Sequence, residues 1–137
     1  MMLGMPHTVT IWNKYRTGNK DIWQRTILEG CSFLNTAGMT TPDNTQVIQD
    51  NILVVIPYRD GYVSKMEWLD SDDKSGCFTF GVGDLVVLGS CPDDINNSDI
   101  TAVKLKNQYA PDSFIIKTVT DRTAEYMRAK HWEIGGD

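Results

Sequence analysis

Apolar and polar positions alternate along much of this chain with a period of two, the spacing of a half-buried β-strand. Thr8-Val9-Thr10-Ile11-Trp12 sets the pattern, with Val9 and Ile11 on one face and Thr8, Thr10 and Trp12 on the other. Its β-branched residues suit a pleated surface. A turn over Arg16–Asp21 leads to a second strand, Ile22–Leu28, which Glu29-Gly30 interrupts and Cys31–Leu34 resumes. Ile52–Tyr58 is the most apolar run and predicts a core strand, with Pro57, which has no amide to donate, at its end or on an edge. Asp60-Gly61 marks a tight turn, and Tyr62–Leu69 fits either a strand or a short helix. Cys77–Phe80, Leu85–Gly89, Phe114–Thr120 and Lys130–Ile134 predict further strands, the last with Trp132 and Ile134 on one face, and Gly81–Asp84 predicts a turn.

Two stretches break the alternation. Asn35–Gln49 is dominated by Thr, Gly, Asn, Pro and Asp and predicts a long loop of the functional or mobile kind. Ser90–Ser113 is a second, holding one predicted helix over Asp99–Gln108 with Ser98 as N-cap and a weak stripe of Ile100, Val103 and Leu105. Asp121–Ala129 fits a polar turn or short helix. The pattern predicts a mainly β chain: one domain over residues 1–137, a small antiparallel β-barrel or sandwich with two long loops and at most one or two short helices.

Composition narrows the function classes. The chain has 137 residues, 41% of them hydrophobic and 23% charged, enough for one real core. A net charge of −5 argues against general nucleic-acid binding, which needs a basic patch to displace counterions. The opening Met1–Pro6 has no basic n-region and no long apolar run, so it does not read as a signal peptide, and no stretch approaches the roughly 18 apolar residues of a membrane span. Cys31, Cys77 and Cys91, odd in number and irregular in spacing, read as reduced thiols.

The sequence carries no recognisable catalytic, cofactor-binding or metal-ligating set. His7 and His131 lie at opposite ends of the chain and read as surface residues. The three cysteines with one histidine lack the closely spaced ligand pairs of structural zinc. Asp70–Gly76 resembles a calcium loop only superficially: Lys74 and Ser75 hold the positions that want an oxygen ligand and glycine, so a solvated acidic turn is the simpler reading. Gly81-x-Gly83 lacks the third glycine and following helix of a dinucleotide fingerprint, and reads as backbone freedom between strands. A pocket, if the chain were an enzyme or ligand-binding barrel, would have to draw on Arg59, Asp60, Asp84 and His131. Of the four tryptophans, Trp12 is a candidate interface anchor, unless both faces of its strand are covered within the protein.

The order of features resembles small proteins from the head–tail gene clusters of tailed phages and prophages of Gram-positive bacteria. His7–Lys14, Asp21–Thr26 and Gly30–Phe33 are similar to their opening "(T)ITIYNK" strand and "W-x-R-T-x-L-x-G-V-x-W" segment. The middle of the chain, with Ile56-Pro57-Tyr58 and Gly83–Gly89, is similar to "F-x-x-G-D-x-I-V-x-G", and Ile116–Arg122 with His131–Gly136 to the closing "V-T-D-N-R…H-W-x-V-G-G" signature. The general plan also resembles head-closure (head–tail stopper) proteins, small β-barrels with a long inserted loop. The resemblance implies a non-enzymatic virion subunit of the neck, without cofactor or metal. It would be built in the host cytoplasm and located at the head–tail interface, in a hexameric or dodecameric ring between portal or adaptor and tail. Such a ring would pass DNA without specific binding, and an acidic wall suits that task; Asn35–Gln49 would then reach toward the channel or the next ring. A tail-terminator or minor capsid protein is the alternative within this class, and a small intracellular ligand-binding barrel or enzyme the alternative outside it.

Overall fold

The computed structural model describes residues 6–35, 52–72, 74, 76–124 and 129–136; the predicted loop Asn35–Gln49 therefore lies outside the described residues apart from Asn35. Six strands form: β1 (His7–Thr17), β2 (Lys20–Asn35), β3 (Ile52–Pro57), β4 (Leu85–Leu88), β5 (Ser113–Arg122) and β6 (His131–Gly136). Two short helices, α1 (Lys65–Asp70) and α2 (Ala102–Tyr109), complete the elements. Every strand pair is antiparallel, in the order β1-β2-β3-β6-β5-β4, and β4 returns to β1 from Val9↔Leu88 to Trp12↔Leu85. The six strands thus close into a barrel, although β2 pairs with β3 only from Ser32 to Asn35.

Glycines set the hairpin geometry. β1 and β2 run further than their alternation suggests, because Gly18, at φ +61°, lets a two-residue turn join Thr17 to Lys20. The predicted break at Glu29-Gly30 is a bulge inside a single long β2: His7 faces Cys31 while Val9 faces Leu28, and Gly30 takes φ +72°. At the far end of the chain, a Cβ on Gly136 would lie 2.1 Å from the Ile115 carbonyl oxygen, so only glycine lets β6 approach β5 there.

Two cores result. Val9, Ile11, Phe33, Val54, Ile56, Val86, Phe114, Trp132 and Ile134 fill the barrel. Phe78 and Phe80 join them, with Tyr62 stacked on Phe80 and Trp132 tilted against both, at centroid distances of 4.5–5.6 Å. The second core lies outside the wall, where Trp12, Leu85 and Val87 meet Cys91, Ile95 and Leu105 of the segment between β4 and β5. This explains why β4 reads as a continuous apolar run: Val86 points into the barrel, and Leu85 and Val87 point under α2.

Several sequence expectations change. Trp12 does face away from Val9 and Ile11, but it is 0% exposed and its indole Nε1 donates to Asp93 O at 3.0 Å, so it is no surface anchor. The predicted helix Asp99–Gln108 starts only at Ala102, with Thr101 as N-cap accepting from Lys104 N. Ser98 cannot cap it, because the Asn96 side chain takes the Ser98 and Ile100 amides in a tight loop. Cys77–Phe80 is not a ladder strand; it makes a single parallel bridge, Tyr62 to Phe78. Tyr62–Leu69 resolves into a bridge and the helix α1, capped by Ser64, which accepts from Glu67 N. The predicted core strand forms over Ile52–Pro57, one residue short of Tyr58, with Ile52, Val54 and Ile56 buried, Leu53 exposed and Pro57 at the strand end as predicted. Asp121 and Arg122 belong to β5, not to a polar turn.

Trp12→Ala should cost about 3–5 kcal/mol of unfolding free energy, the range for removing a buried Trp or Phe. Urea denaturation checks this: a loss within about 0.5 kcal/mol would mean a surface residue.

Candidate functional site

The most heavily engaged polar group is the Asp84 carboxylate. Asp84 stands immediately before β4 and is 0% exposed. Oδ1 accepts from Lys14 N at 2.9 Å and Lys65 Nζ at 3.3 Å, and Oδ2 accepts from Asn13 Nδ2 at 2.8 Å and Gly81 N at 2.9 Å. Four donors match the roughly four lone-pair sites of a carboxylate, leaving none for a substrate or cation.

The sequence folds this way for identifiable reasons. Val9, Ile11 and Asn13 share the inward face of β1, so the alternation carries a polar side chain to a fully buried position. There Asn13 acts as a one-residue strand: Nδ2 donates to Thr79 O at 2.7 Å and Oδ1 accepts from Thr79 N at 3.2 Å. Pairing of β1 with β4 ends at Trp12, and the next outward backbone groups, those of Lys14, are taken by side chains. Its N–H goes to Asp84 and its C=O accepts from Lys65 Nζ at 2.8 Å. Gly83, at φ +99°, turns the chain so that Gly83 N donates to Ile116 O, and Ile116 N donates to Asp84 O. Asp84 thereby joins β1, β4 and β5 to the 79–81 segment.

Lys65 lies 5.0 Å from the centre of the buried Trp68 ring, whose other neighbours are Lys74 Nζ at 5.5 Å and the edge-on ring of Tyr15 at 5.4 Å. Burial pushes the Asp84 carboxyl above the usual carboxylate range, against the opposing pull of Lys65, the Lys14 amide, Asn13 and the Gly81 amide.

The other residues proposed from sequence have separate partners. Arg59 donates to Pro57 O at 3.2 Å and Glu29 O at 2.6 Å, and its Nη2 lies 3.9 Å from Cys31 Sγ, so it ties the β2 bulge to the end of β3. Asp60 is exposed in the turn before Gly61. His131 Nδ1 donates to Ala129 O at 2.7 Å, and its Nε2 lies 3.7 Å from Glu133, which also accepts from Arg122. No hydrogen bond or ion pair among the described residues links Arg59, Asp60, Asp84 and His131 to one another. The two histidines, read as surface groups, are both half-buried, and His7 Nδ1 accepts from Phe33 N at 3.0 Å because β2 lies beside it.

Cys31 and Cys91 are buried thiols outside any disulfide, and burial pushes the Cys31 thiol up. Among the described residues no group of three or more His, Cys, Asp or Glu is placed to hold a metal, and no helix is long and apolar enough to cross a membrane.

Of these residues Asp84 is a candidate by sequence, whereas Asn13 and Lys65 are not. A polar residue at an inward position of a strand was the available signal for Asn13. Nothing local marked Lys65, which reaches Asp84 only through the placement of α1. What the surface offers instead is mostly aliphatic: outside the strands Met66, Leu69, Val82 and Val103 are exposed, together with Tyr58.

A family model described as a family of unknown function (DUF6751) matches residues 5–137. No curated protein and no solved structure matches the chain.

Replacing Asp84 with Ala should cost on the order of 3–5 kcal/mol at neutral pH, because buried donors lose their acceptor. The pH dependence has a definite sign. A carboxyl raised in the folded state contributes stability that is full below its unfolded pKa and is lost as pH rises through the folded one. The stability advantage of wild type over Asp84→Asn should therefore widen as pH falls from 7 toward 4 in urea melts, opposite to an ordinary salt-bridged aspartate.

Proposed function

We propose that this chain, which belongs to the DUF6751 family, is a structural subunit of a tailed-phage neck, most specifically a head-closure ring subunit that joins portal or adaptor to tail and borders the DNA channel. The observation that carries this reading is where the resemblance falls on the fold. Its Gly-Asp pair is Gly83-Asp84, the junction of β1, β4 and β5. Its closing His-Trp-x-x-Gly-Gly is β6, which inserts Trp132 into the core and needs Gly136 to approach β5. The shared signature thus coincides with the places where the barrel closes.

Three further features agree with a packing role. The buried Asp84 carboxylate is saturated by scaffold donors, so the most engaged polar group serves the fold. Charge suits a conduit: at −5 per chain, a ring of such subunits repels phosphate and lets DNA slide. Finally, the exposed aliphatic side chains are of the kind that subunit contacts cover.

Mass spectrometry of purified intact particles tests the reading. The protein should be present in copies matching a six- or twelve-membered ring, and disrupting its gene should leave filled heads unjoined to tails. Particles that lack the protein and assemble normally would overturn it.

A further inference from the structure

The two helices carry exposed faces of complementary charge, on which, among the described residues, Lys104 Nζ reaches only the Asp99 carbonyl at 3.3 Å, and resting on the ring reading above they suggest how copies meet. α1 turns Trp68 inward and leaves Met66 83% and Leu69 48% exposed. Met66 and Leu69 are three residues apart, as are Glu67 and Asp70, so an apolar row runs beside an acidic row. These four residues line an open depression of about 550 Å³. α2 turns Leu105 inward and leaves Val103 68% exposed beside Lys104 and Lys106, with no acidic residue between Ala102 and Tyr109. Among the described residues none of Glu67, Asp70, Lys104 and Lys106 is engaged in an ion pair.

We propose that the Met66/Leu69 depression of one copy receives Val103 and the aliphatic lysine stems of α2 from a second copy, with Glu67 and Asp70 facing Lys104 and Lys106. Charge decides the pairing. α1 against α1 would oppose carboxylates, and α2 against α2 would oppose ammonium groups, so like faces repel. Only α1 against α2 brings opposite signs together and lets Met66 and Leu69 leave water beside apolar partners. Such a contact is heterologous. A pair joined this way keeps one unused face of each kind, so association propagates until rotation closes a ring.

Sedimentation velocity of the full chain over a concentration series tests the contact. Wild type should associate, less so as salt rises. Glu67→Lys with Asp70→Lys, or Lys104→Glu with Lys106→Glu, should each weaken association about tenfold. An equimolar mixture of the two double variants should restore it, because each then supplies what the other lost. A wild type that stays monomeric throughout, an association indifferent to both reversals, or a mixture that fails to recover would overturn the contact. Association indifferent to the reversals removes this contact and leaves the neck reading standing. Recovery in the mixture, with the protein absent from particles, keeps the contact and removes the neck reading.

Discussion

Closure of the barrel depends on a carboxylate with no solvent around it. Where β1 runs past the end of β4, its backbone would present unpaired groups, and Asp84 and Lys65 take the Lys14 amide and carbonyl in place of a further strand. The same carboxylate holds Gly81 and, through Asn13, the segment that delivers Phe78 and Phe80 to the core. Burying such a charge is costly, and the raised carboxyl pKa is the sign of that cost. Four well-placed donors make the arrangement tolerable, and removing any partner leaves others orphaned. The position is therefore demanding in a way that a surface aspartate is not.

Around that junction the chain builds outward in two layers. The aromatic stack of Trp132, Tyr62 and Phe80 fills the barrel, while the segment between β4 and β5 folds back over the wall and covers Trp12. A stretch that reads as loop thus supplies half of a second core. Its own fastening is polar: the Thr10 hydroxyl donates to Gly89 O and accepts from Cys91 N, and Arg25 reaches Cys91 O and Asp94. With three of the four tryptophans buried and Trp23 half-buried, the exposed apolar side chains are mostly aliphatic, and the helices carry Met66, Leu69 and Val103 among them. Those helices are short and bury one residue each, Trp68 and Leu105, while α1 also supplies Lys65 to the Asp84 junction.

Sequence alone determined the strand series and its inward faces, because a period of two needs only neighbours along the chain. Val9 with Ile11, Trp132 with Ile134, the place of Pro57 and the turn at Gly81–Asp84 all follow from local rules, as does the mainly β class with few short helices. Tertiary structure decided what covers each outer face. Trp12 looked available because nothing in Thr8–Trp12 records that Ile95 and Leu105, some ninety residues later in the chain, will pack on it. The helix start moved from Asp99 to Ala102 because Asn96 captured the amides first, a competition that propensity does not rank. Asp84 was legible as part of a turn, but its role was not. Its four donors come from three separated parts of the chain, and a carboxylate in a Gly-Asp turn is written identically whether water or Lys65 surrounds it. Periodicity reports which way a side chain points; only the closed barrel determines what it meets there.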